Sequence, residues 1–148
     1  MRVSLSQPAR DAIERQLCAA YPHEGCGALI GAVNNAGDVI VDRACGLANR
    51  LAPSTDDRFE IDPLEYARLE SDVTRAQSGK VIGFFHSHPD GKAVPSSIDL
   101  EMAQGLFAVA REYYIYAIGV IAQGRLVALT FWRLNANLSD FEALDAAK

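Results

Sequence analysis

No run of about 18 consecutive apolar residues occurs anywhere in this 148-residue chain, so a membrane-spanning helix is excluded by length alone. Cysteine is scarce and odd in number. Cys18, Cys26 and Cys45 are widely spaced, which suits reduced thiols better than a disulfide framework and predicts a reducing compartment. Clustered Lys and Arg are missing too, and with a net charge of −5 the chain lacks the basic footprint that displaces counterions from nucleic-acid phosphates. There is no internal repeat and no low-complexity linker. The opening MRVSLSQPARDAIERQL is amphipathic rather than signal-like, so the expectation is a cytoplasmic protein with no membrane and no nucleic-acid partner. Asn137-Leu138-Ser139 matches a glycosylation acceptor formally, but without a secretion signal it reads as chance.

What is present is an ordinary globular composition, 49% hydrophobic and 22% charged, enough for a single core. Pro8 and the apolar positions Ile13, Leu17 and Ala20 predict a helix over 8–20. Residues 26–33 and 38–45, separated by turn formers, predict a β-hairpin. Residues 49–57 read as a loop before a short strand at 58–61. Asp62 and Pro63 then open a helix that stops near Ser78-Gly79. The apolar run from Val81 to His88 predicts a buried strand. Ser96 or Ser97 caps a helix from about Ile98 to Ala110, with Gly105 as a candidate interruption, and a hairpin spans 113–122 and 125–133. The order α, β, β, β, α, β, α, β, β implies an α/β fold, a single-domain mixed β-sheet flanked by helices over residues 1–134, with a weakly specified tail at 135–148.

His86 and His88 lie two apart on the predicted strand, so both side chains leave the same face and can share one ion. Alone, such a pair is more often hydrogen-bonded structure than a metal site, Asp99 more often a first-turn carboxylate, and Ser96 more often a cap. Together they change meaning. Two histidines plus Asp99 form a three-ligand set with one open position, the mark of catalytic rather than structural zinc. A proton-transfer carboxylate near the metal but off it is then required, and Glu24, at the junction of helix and buried strand, is the candidate. Ser96 is placed to donate to an oxyanion. Cys26 lies near Glu24, but a fourth thiolate ligand would close the open position, so it reads as packing.

The series Glu24, His86-Ser87-His88-Pro89, a seven-residue spacer from Pro89 to Pro95, and Ser96-Ser97-Ile98-Asp99 resembles the signature of the JAMM, or MPN-plus, metalloproteases of the JAB/MPN domain family. The resemblance implies a layered architecture like that of cytidine deaminases, zinc on His86, His88 and Asp99, Glu24 as general acid/base and Ser96 as oxyanion stabiliser. Pro22-x-Glu24-x-Cys26-Gly27 and Phe59-x-Ile61-Asp62-Pro63 look like the short prokaryotic branch, whose members trim residues beyond the terminal Gly-Gly of ubiquitin-like sulfur-carrier proteins. Two other readings belong to the same fold: a non-catalytic interaction scaffold, against which the complete ligand set speaks, and a DNA-repair-associated relative, which the net acidity disfavours.

Overall fold

The computed structural model describes residues 1–52 and 58–147. Positions 53–57 of the predicted loop, and Lys148 of the tail, lie outside the described residues. Ten elements follow in order: β1 (Arg2–Leu5), α1 (Gln7–Ala20), β2 (Cys26–Val33), β3 (Val39–Leu47), α2 (Pro63–Ala76), β4 (Lys80–Ser87), α3 (Ser97–Ala110), β5 (Ile115–Ala122), β6 (Arg125–Leu134) and β7 (Phe141–Ala146). The expected mixed α/β sheet is present, and the strand order β1-β3-β2-β4-β5-β6-β7 closes on itself through a parallel β1–β7 pairing.

Both end strands escaped the sequence reading. β1 is only four residues long and needs β3 and β7 as parallel partners, which no local pattern announces. For β7 a signal existed. Asn135 closes a turn, its side-chain oxygen accepting from Ser139 N at 2.9 Å and its own N–H donating to the Asp140 carbonyl at 2.9 Å. Phe141 then starts a strand antiparallel to β6 and meets Tyr116 edge-on, with ring centroids 5.7 Å apart. The expected strand at 58–61 does not form. Only Ile61 pairs, in an isolated antiparallel bridge with Asn49, because the Glu60 N–H is taken by the Asn49 side-chain oxygen at 3.0 Å.

Helix α1 starts where predicted because the Ser6 side chain accepts from Ala9 N, and it buries Ala9, Ile13 and Leu17 along a single stripe. That stripe packs with Leu29, Val41, Phe85, Ala117 and Ile121 on one face of the sheet. The opposite face carries Ala28, Ile30, Val81, Phe84 and Tyr114, against which α2 sets Tyr66, Leu69 and Val73. Strand β4, sandwiched between these layers, is buried at every position after Lys80. This double burial explains its unbroken apolar sequence. A side chain at Gly83 would place its Cβ 2.0 Å from the Ile115 carbonyl oxygen, so β4 and β5 can approach only because that position is glycine. β4, paired on both edges from Gly83 to His86, carries His86 near its end and His88 just beyond it.

Candidate metal centre

His86 is the penultimate residue of β4, and His88 follows its end, where His88 N continues the pairing by donating to the Gly119 carbonyl at 2.9 Å. The chain then loops back to α3. That loop is pinned by Asp90 N on the Ile121 carbonyl at 3.1 Å and by the Thr130 hydroxyl on the Ala93 carbonyl at 2.7 Å. Ser96 caps α3: its hydroxyl oxygen accepts from Asp99 N at 3.1 Å, while Ser96 N donates to Asp99 Oδ2 at 2.9 Å. This reciprocal cap turns the Asp99 carboxylate back toward the strand end.

Three donors meet there. His86 Nε2 lies 3.0 Å from Asp99 Oδ1, His88 Nε2 lies 3.0 Å from Asp99 Oδ2, and the two Nε2 atoms are 3.2 Å apart. Tetrahedral ligands at the usual zinc distance of about 2.0–2.1 Å are about 3.3 Å from one another, so the group has the spacing of a metal's ligand shell. His88 Nδ1 is 2.9 Å from the Lys92 carbonyl, which only accepts, so Nδ1 carries a proton; a second proton on Nε2 makes the ion pair with Asp99, and its loss would free the Nε2 lone pair for a metal. His86 Nδ1 is buried with no hydrogen-bond partner among the described residues, and its ring plane is held instead by stacking on Phe59, centroids 4.8 Å apart.

The electrostatics agree with mutual attraction. Burial opposes ionisation of Asp99, but the hydrogen bonds from His86 and His88 outweigh it and hold the carboxyl well below the ordinary range. Burial likewise opposes a charged His88, and the Asp99 hydrogen bond, the Lys92 carbonyl and the charges of Asp99 and Glu24 together raise its pKa.

Glu24 is buried, at 4% exposure, in the segment between α1 and β2. Cys26 pairs with His86 in the β2–β4 ladder, and Gly25 exchanges two bonds with Ser87: Ser87 N to the Gly25 carbonyl at 3.1 Å, Gly25 N to the Ser87 hydroxyl at 2.9 Å. One step further along this antiparallel register brings Glu24 level with His88. Two more tethers hold the segment, Tyr21 Oη donating to Asp90 Oδ2 at 2.5 Å and Asn49 Nδ2 donating to the Glu24 carbonyl at 3.0 Å. Local sequence gives neither Ser87 nor Asn49 a tethering role. Their pairing partners lie 62 and 25 residues away, beyond any local pattern.

Cys26 stays out of the donor set. Burial, followed by the charges of Glu65 and Glu24, pushes its thiol up to about 12, and it donates to the Leu47 carbonyl. Ser96 is exposed beside the cluster, its hydroxyl oxygen engaged as the cap. A cavity of about 480 Å³ opens from His86 and Asp99 between α2 and α3, lined by Phe59, Tyr66, Phe84, Leu106, Tyr116 and Phe141.

The pattern of the family described as prokaryotic homologs of the JAB domain matches residues 6–135. The chain belongs to that family. A desampylase of Haloferax volcanii is 33% identical over 106 residues, covering 69% of this chain and 73% of the relative. Among solved structures, a protein of Salinibacter ruber is 32% identical with a TM-score of 0.70, covering 100% of this chain and 91% of its own. A protein of Desulfitobacterium hafniense reaches a TM-score of 0.79 at 20% identity, covering 98% and 91%, and speaks for the JAB-like fold. Family membership and the desampylase relative together support a hydrolase of the JAB family.

Proposed function

We propose that this protein is a zinc-dependent JAMM-type peptidase that hydrolyses the bond after the C-terminal Gly-Gly of a ubiquitin-like or sulfur-carrier protein. The observation that carries this reading is the convergence of two imidazole nitrogens and a carboxylate, from His86, His88 and Asp99, at 3.0–3.2 Å from one another beside a buried carboxylate, Glu24. Zinc on such a set polarises a carbonyl and brings a water toward near-neutral acidity.

The rest is work for the chain's own side chains. Glu24 accepts the nucleophile's proton on its carboxylate and returns it to the departing amine, a task suited to a carboxylate whose following peptide is held by the Ser87 and Asn49 side chains. The Ser96 hydroxyl, exposed at the start of α3, donates to the developing oxyanion. The apolar cavity between α2 and α3 reaches the ligands and suits the apolar surface of a carrier next to its extended tail. The desampylase relative supports the modifier class of substrate.

The test is mass spectrometry of carriers bearing short extensions after Gly-Gly, incubated with the zinc-loaded protein. A single cut after the second glycine is expected, abolished by chelation. Intact carriers at stoichiometric zinc would overturn the reading.

A further inference from the structure

The Asn49 side chain satisfies both ends of its amide at once. Its oxygen accepts from Leu51 N and Glu60 N, each at 3.0 Å, and its nitrogen donates to the Glu24 carbonyl at 3.0 Å and the Arg58 carbonyl at 3.3 Å. Four contacts from a single half-buried amide join two segments that share no strand ladder: the Glu24 segment before β2 and the segment carrying Phe59. Phe59 in turn stacks on His86. From these contacts we infer that Asn49 is a positioning residue, a latch that sets the Glu24 carboxylate in register with the ring plane of His86.

The two halves of the amide do separable jobs. The oxygen bonds the backbone N–H groups of Leu51 and Glu60, and the nitrogen holds the carbonyls of Glu24 and Arg58. The Gly25 N–H and the Glu24 carbonyl are the two ends of one planar peptide unit, and Ser87 holds the first of them from the β4 side. Asn49 holds the other end, so the plane of the peptide that carries Glu24 is gripped from both edges. Misplacing a proton-transfer group by about 1 Å costs on the order of a hundredfold in rate, so the latch acts on turnover rather than on binding.

The inference rests on the proposed peptidase reading, and the comparison of Asn49→Asp with Asn49→Ala tests it separately. Aspartate keeps the acceptor for Leu51 and Glu60 but turns an oxygen toward two carbonyls, so it undoes the holds on Glu24 and Arg58 and leaves the oxygen's two bonds in place. Both variants are expected to keep stoichiometric zinc and a KM within about twofold of wild type, with kcat lower by about 10- to 100-fold. Amide exchange at Gly25 is expected to quicken in both, while Glu60 stays protected in the aspartate variant alone. If Asn49→Asp matched wild type in kcat and in Gly25 exchange, or failed to fold, the amide would be a fold-holding group and the latch would be refuted. A wild-type protein that cuts no carrier would overturn the peptidase reading, while the exchange at Gly25 would still decide the latch.

Discussion

Replacing Asp99 by asparagine tests the ligand set with little change of shape. The amide retains one oxygen. Keeping the α3 cap requires that oxygen at the Oδ2 position, where it accepts from Ser96 N at 2.9 Å, which leaves an NH2 group facing His86. The fold therefore survives while a donor points hydrogens at the centre. Zinc at about a thousand times its Kd stabilises the wild type by about 4.1 kcal/mol. For a chain of 148 residues, at about 2–4 °C per kcal/mol, this is a rise in Tm of about 8–16 °C over the chelated protein. Even a loss of ligand support as mild as that of an outer partner weakens binding by about a hundredfold. The same zinc concentration then supplies only about 1.4 kcal/mol, or about 3–6 °C. Thermal unfolding followed by circular dichroism, with zinc and with chelator, measures both shifts. An Asp99→Asn protein with the full wild-type rise and one zinc per chain would remove Asp99 from the set and refute the reasoning.

Four further outcomes follow from the same contacts. In metal-free protein the His88–Asp99 ion pair contributes stability above the ordinary aspartate value of 3.8, because the folded carboxyl is depressed, and below the ordinary histidine value of 6.5, because the folded imidazole is raised. Its contribution therefore fades as pH falls below about 4 and as pH rises above about 6.5, and Asp99→Asn should flatten both limbs of a Tm-against-pH curve. Glu24→Gln keeps zinc but loses at least about a hundredfold in kcat in the carrier assay, since an amide cannot take the proton. Ser87→Ala strands the buried Gly25 N–H and should cost about 1–3 kcal/mol in denaturant unfolding with zinc content unchanged. Val109→Asp, at the mouth of the cavity and 84% exposed, should raise KM several-fold with Tm and kcat unaltered; an unchanged KM would move the carrier off this surface.

Much of the layout was legible because it is local. Ser6, Asp62 and Ser96 cap the three helices as their residue types and following periodicity indicate, and the apolar run of β4 reports burial on both faces. The residues 58–61 misled because β-prone side chains also suit an extended segment, and a side-chain acceptor, Asn49, had already claimed its N–H group. β1 and β7 were illegible for a different reason: closing the sheet joins Arg2 to Asp145 and Val3 to Ala146, contacts between opposite ends of the chain.

The candidate site divides in the same way. The sequence by itself determined which donors exist and their register: two histidines two apart on a strand end, and an aspartate at the third position of a serine-capped helix, because strand alternation and capping geometry act over a few residues. Whether those donors meet depended on tertiary structure. The β4–β5 pairing and the Thr130 tether fold the loop so that Asp99 arrives 3.0 Å from both rings. Only the β2–β4 register and the Ser87 and Asn49 bonds bring Glu24 level with His88 across more than 60 residues of chain. No sequence spacing encodes that distance, since it is set by which strands become neighbours.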